Sequence, residues 1–259
     1  MSRRACGLLV PVVGALLGSA CAIRGFVAPA GPPVPMSNAI AAWEEATSHC
    51  RNATTFSASI HLSGRAGGER LHGTIDGAVT SADQIRLDAH VLGQTAFVLA
   101  GNANSATFLL PRDNRVLTAR AADIVEALTG LTWSPSELLR IFSGCLAKVD
   151  AAAPAVRIAD RARFTTSAGD VYLRQRSGHW TIDGAVLNAI TVLYDQVTDG
   201  WPHTLVIVRT GARPLSIKLR LDQIDTKDLP ATAFAVTVPR DATPLTLEEL
   251  RNTVGIKGQ

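Results

Sequence analysis

A chain of 259 residues, 47% hydrophobic and 18% charged, carries enough apolar material for one or two cores and fits neither a disordered segment nor a coiled coil. The formal net charge is +3; setting aside Arg3 and Arg4 at the extreme N-terminus, 23 basic residues face 22 acidic ones. So even a balance offers no field for gathering phosphates, which argues against nucleic acid as a partner.

Arg3 and Arg4 open the chain, and Gly7–Leu17 (GLLVPVVGALL) follows as an apolar run. It is too short for a bilayer span, which needs about 20 such residues. Gly18, Ser19 and Ala20 then lead to Cys21. This is the layout of a cleavable export signal over residues 1–20. A cysteine straight after small residues resembles the lipobox of bacterial lipoproteins, although Gly18 stands where that family has Leu. The resemblance implies cleavage before Cys21, with a diacylglyceryl group on its thiol and an acyl group on its amine. An ordinary secretory peptide is the alternative. Ser2-Arg3-Arg4 leaves twin-arginine export open beside the general route. No other stretch is apolar and long enough to span a membrane, so lipid on Cys21 would be the anchor.

Residues 21–36 then read as the lipidated cysteine and a spacer, Ala22–Pro35 being rich in Pro, Gly and Ala and expected to stay solvated. Residues 37–259 read as a single domain. With Cys6 in the signal and Cys21 carrying lipid, Cys50 and Cys145 remain. An even pair in an oxidising envelope reads as a disulfide, worth about 4 kcal/mol in the chain-entropy model. Two buried free thiols are the alternative.

The domain begins with a helix over Ser37–Cys50, where Ile40, Trp43, Ala46, Thr47 and Cys50 recur at three- and four-residue steps. Three period-two strands follow. Phe56, Ala58, Ile60 and Leu62 alternate in Thr55–Ser63; Leu71, Ile75 and Val79 do so in Leu71–Val79; Ile85, Leu87 and Ala89 do so in Gln84–Val91. That rhythm predicts an antiparallel sheet with one apolar face. Thr95–Ala100, which includes Phe97, and Ala106–Leu110 are continuously apolar strands. Two helices come next. Ile124, Ala127, Leu128 and Leu131 mark the first, with Gly130 at its end. Ser134, Pro135 and Glu137 form the start of the second, whose wide apolar face is Leu138, Leu139, Ile141 and Phe142. Further strands are predicted at Val156–Asp160, Ala162–Thr166, Val171–Arg176, His179–Ile182, Ala185–Tyr194, Thr204–Arg209, Leu215–Leu221 and Ala233–Val238. A capped helix at Thr246 and Glu249 closes the chain.

Leu87–Leu99 (LDAHVLGQTAFVL) is similar to the strand–loop–strand of LolB-like outer-membrane lipoproteins, with Leu92-Gly93 matching the Leu-Gly of the loop and Val91 in place of its Pro. Ala122–Gly144 resembles the two-helix insertion of the same family, and the order of elements agrees from about Ala39 to Leu221. The resemblance implies an α+β fold: a half-open antiparallel β-barrel, a curved sheet of roughly ten or eleven strands with short helices covering an apolar cavity. Phe56, Ile60, Leu62, Ile75 and Ile85 would line it, with Leu87, Phe97, Leu128, Leu139 and Phe142. Leu92 and Gly93 would form a loop that contacts the membrane; a leucine folded back on the core is the other reading. The implied partners are acyl chains or lipoproteins, the membrane through the N-terminal lipid, and a LolA-like periplasmic carrier. The implied location is the periplasmic face of the outer membrane, and a monomer is expected. An envelope assembly lipoprotein of the same fold, with another hydrophobic ligand or a protein partner, is the alternative.

No nucleophile elbow, phosphate loop, dinucleotide fingerprint or paired-cysteine zinc motif occurs. No catalytic residue, cofactor or metal is therefore expected. His61, His72 and His90 fall on the polar face of the sheet, where solvated side chains are the ordinary reading and a metal site the alternative.

Overall fold

The computed structural model describes residues 23–253 except 67, 147–154, 189, 212 and 213. Residues 1–22, including the signal and Cys21, lie outside the described residues.

The described chain forms one open sheet wrapped on short helices. The first half comprises β1 (Val34–Pro35), α1 (Ala39–Ala46), β2 (Thr55–Ala66), β3 (Glu69–Thr80), β4 (Gln84–Val91), β5 (Gln94–Asn102), β6 (Ala106–Leu110) and β7 (Arg115–Ala119). Then come α2 (Ala121–Thr129) and α3 (Pro135–Ser143). The second half is β8 (Ala155–Ile158), β9 (Arg161–Thr166), β10 (Gly169–Arg176), β11 (His179–Leu187), β12 (Ile190–Thr198), β13 (Trp201–Arg209) and β14 (Leu215–Asp225), followed by β15 (Thr243–Pro244) and α4 (Leu247–Thr253).

Two antiparallel meanders, β2 to β7 and β8 to β14, join where β14 pairs with β2, Leu219 opposite Leu62. The sheet is open at both ends. At one edge Val34–Pro35 pairs with β8; at the other Thr243–Pro244 pairs in parallel with β7. Proline lacks the amide a further strand would need, so each edge ends on a residue that resists extension. The inward residues of both meanders, from Phe56 and Leu99 to Phe164 and Leu221, share one buried cluster with α1, α2 and α3, which lie in the concavity.

Several local expectations need correction. The sheet has fifteen strands, not ten or eleven, two of them only two residues long. β7 is not predicted from the sequence, because Arg115–Ala119 offers too few alternations to register. The first helix stops at Ala46, where the Thr47 hydroxyl turns back to the Trp43 carbonyl (2.7 Å), and a 3-10 turn runs over Ser48–Asn52. Asp183-Gly184 reads as a break but lies within β11. The Asp183 carboxylate, buried on the outer face, is taken by Arg161 (2.5 Å), Arg176 (3.2 Å) and Arg174 (3.5 Å). Ala233–Val238 is not a strand; Ala231–Phe234 forms a 3-10 turn laid on the outside of β4 and β5, where Arg86 donates to the carbonyls of Ala233 and Ala235.

The spacer expectation also changes. Phe26 is 6% exposed, stacked on Tyr172 (4.9 Å between centroids) and seated where a Cβ on Gly184 would collide with its ring. Apolar burial of one aromatic holds the segment on the outer face of the sheet, so it is not free at residue 26.

A candidate acyl-chain cavity

The cavity forms where the inward face of the sheet meets α2 and α3. On β3, inward positions alternate Leu71, Gly73, Ile75 and Gly77. At Gly77 a Cβ would stand 3.1 Å from Leu87 and 3.2 Å from Ile60, so the missing side chain lets the strand approach its neighbours closely.

The helices above are fixed at their ends. α3 starts with a reciprocal cap: the Glu137 amide donates to the Ser134 hydroxyl (3.2 Å) and the Ser134 amide to the Glu137 carboxylate (2.7 Å). α2 ends at Gly130 (φ 71°), whose carbonyl accepts from the Arg209 guanidinium of β13. Arg251 of α4 reaches Glu126 of α2 (2.8 Å). Tyr194 donates its buried hydroxyl to the Ile141 carbonyl (3.0 Å), and burial pushes its pKa well up.

Between them is a cavity of about 140 Å³. β2, β3, β4 and β5 contribute Ile60, Leu62, Leu71, Ile75, Leu87 and Phe97; β13 and β14 contribute Ile207, Leu215, Ile217 and Leu219. Val125, Leu128 and Thr129 of α2, Leu131 and Trp133 of the connection, and Leu138 and Phe142 of α3 cover it. Thr129 turns its hydroxyl to the Val125 carbonyl (2.8 Å), so it presents no free polar group. An apolar space with satisfied walls stays dry and receives apolar ligands.

Of the ten residues expected to line a cavity, seven surround this one: Ile60, Leu62, Ile75, Leu87, Phe97, Leu128 and Phe142. Phe56, Ile85 and Leu139 do not. Phe56 is buried near the rings of Phe142 (5.9 Å) and Trp201 (6.0 Å); Ile85 is wholly buried in the core; Leu139 faces a separate cavity beside Cys50 and Cys145. A shared apolar face does not say which of its members meets empty space. The β13 and β14 lining went unnamed because the β14–β2 pairing, which closes the two meanders together, has no local signal.

Leu92 and Gly93 form the two-residue turn between β4 and β5, with φ 51° and 75° and Val91 opposite Gln94. Leu92 is 85% exposed and does not fold back on the core. The turn lies five residues, roughly 16 Å, beyond the cavity residue Leu87. The half-buried lining residues Leu62, Leu71, Ile75, Leu87 and Phe97 make this the accessible side of the cavity.

The fold is similar to those of several solved structures. They include a LolA superfamily protein from Nitrosomonas europaea (9% identity, TM-score 0.48, 78% of this chain and 98% of that one). An outer membrane lipoprotein-sorting protein domain from Vibrio parahaemolyticus is another (11%, 0.44, 76% and 97%), as is the Mycobacterium tuberculosis lipoprotein LppX (12%, 0.33, 74% and 97%). A likeness at this level concerns fold and assigns no ligand, location or partner. No family model and no curated protein matches the sequence.

Cys50 and Cys145 form a disulfide, with Cα atoms 5.7 Å apart. It ties the turn after α1 to the end of α3. His61, His72 and His90 do not converge: His61 pairs with Asp222 (3.1 Å) and His90 approaches Asp76 (3.5 Å). Among the described residues no helix is long and apolar enough to cross a membrane.

Proposed function

We propose that this chain is a lipoprotein anchored through Cys21 that holds an acyl chain under α2 and α3 and receives or inserts lipoproteins at the periplasmic face of the outer membrane. It works as a monomer, takes its cargo from a LolA-like carrier, and carries out no covalent chemistry. The observation behind the reading is the cavity with its apolar wall.

Size decides how such a cavity works. Its 140 Å³ suits a benzene-sized group, about six carbons. At about 0.8 kcal/mol per methylene that burial contributes about 5 kcal/mol, comparable with the lower estimates of what association costs in lost freedom. Stable binding therefore requires more of the chain to enter, and the space must open. The part able to move is the cover. Leu131 and Trp133 lie on the connection between α2 and α3, outside any regular element, whereas the strands beneath are paired with neighbours on both sides. Exposed Leu92, on the accessible side, gives the domain an apolar contact for a bilayer. A partner adding a strand at the sheet edge finds Val34–Pro35 and Thr243–Pro244 already there, which favours the carrier over the assembly reading.

The test is displacement of a fluorescent fatty acid from the delipidated protein, followed by transfer of a bound lipopeptide to vesicles. The expected result is saturable binding, and for Leu92→Glu unchanged binding with transfer lowered at least tenfold. Absence of binding by the folded protein would contradict the reading.

A further inference from the structure

The disulfide has a neighbour that the acyl-chain cavity leaves unused. His49 lies with its Nε2 3.6 Å from the sulfur of Cys50 and 3.6 Å from that of Cys145. The three ligand atoms lie within 4.8 Å of one another. The ring is held edge-on to Trp201 (4.8 Å between centroids), and a Cβ on Gly200 would collide with it. We propose that, when the disulfide is reduced, His49, Cys50 and Cys145 form a three-ligand site for zinc(II), which the disulfide abolishes.

The spacing fits the ion. With Zn–N near 2.0–2.1 Å and Zn–S near 2.3 Å, a tetrahedral centre puts nitrogen and sulfur about 3.6 Å apart. Reduction adds two electrons and two protons, gives two thiols, and lets the sulfurs separate. Zinc then displaces both thiol protons. In the disulfide state Nε2 donates to the Ser143 carbonyl (3.0 Å), which leaves Nδ1 buried without a hydrogen-bond partner. Moving the ring proton to Nδ1 frees the Nε2 lone pair for the metal. A histidine binds a metal ion through its neutral ring. Two thiolates balance the charge of the ion. Both cysteines also line a cavity of about 590 Å³ together with Arg51 and Arg140, a cationic lining that would suit an anionic fourth ligand. A zinc motif was invisible in the sequence because 95 residues separate the two cysteines.

The experiment uses the full chain with Cys6→Ser and Cys21→Ser, reduced anaerobically by a phosphine, which ends as the phosphine oxide. Zinc is titrated against a chromophoric chelator, and cobalt(II) serves as a spectroscopic substitute. The expected result is one zinc per reduced chain, a cobalt spectrum with thiolate charge-transfer bands and tetrahedral d–d transitions, and a melting temperature raised by zinc. The oxidised chain should bind none, and His49→Ala should weaken binding at least about tenfold. A Cys50→Ser/Cys145→Ser variant, which lacks the disulfide without reductant, controls for lost stability and should show neither zinc binding nor a zinc-raised melting temperature. Zinc binding that ignores His49→Ala, or a reduced chain whose melting zinc does not raise, would overturn the proposal.

Discussion

Leu92 holds a left-handed backbone (φ 51°) with 85% of its surface in water, at a turn position where Asn-Gly is the favoured pair. A branched side chain there costs about 1 kcal/mol or more in backbone strain, and its exposure gains the fold nothing. Such a residue makes sense where its side chain meets something outside the domain. The sequence showed the Leu-Gly turn through resemblance, but exposure is a property of what surrounds a turn, which no local pattern carries. His49 is a second instance. Its neighbours in sequence gave no sign of a role; its surroundings, Trp201, Ser143 and Cys145, come from distant parts of the chain. Because burial depresses its pKa, the unfolded chain takes up a proton more readily than the folded one as pH falls below the unfolded value of about 6.5. His49 therefore makes stability complete above that value and progressively lower below it. Thermal melts from pH 7.5 to 5 should show this loss, and His49→Gln should flatten that part of the profile; an unchanged slope would contradict the burial account.

At the scale of elements, legibility followed self-sufficiency. The reciprocal cap of Ser134 and Glu137, with Pro135 between them, named α3 correctly because everything that starts a helix lies within four residues. The strands β2 to β4 were legible because one apolar face imposes strict alternation. The sequence breaks β11 at Asp183-Gly184, which has the composition of a turn; in the structure pairing with β10 continues across it, pairing with β12 runs from Gly184, and three arginines take the buried carboxylate. The spacer failed similarly: Phe26 looked solvated until Gly184 and Tyr172 supplied a seat. α2 is the element whose packing sets the cavity. Val125→Trp would project an indole into a space of benzene size. Fatty-acid affinity should fall at least tenfold, with destabilisation of about 1–3 kcal/mol from overpacking. Unaltered affinity in the folded variant would mean the ligand lies elsewhere.

At the scale of the whole molecule, the open sheet does two things at once. Its curvature gathers lining residues from β2 to β5 and from β13 and β14 around one dry space, and its two ends finish on prolines instead of meeting. The resemblance gave the architecture in outline and seven of the seventeen lining residues; the four from β13 and β14 depended on β14 closing onto β2, a pairing between segments about 150 residues or more apart in sequence. The central claim is that the cover over this cavity yields to admit a long hydrocarbon chain. A series of saturated fatty acids from six to sixteen carbons, titrated against the delipidated protein, tests it directly. Affinity should tighten about fourfold with each added methylene, well past the six carbons that the closed space can hold. A plateau near six carbons, or no binding at any length, would contradict it.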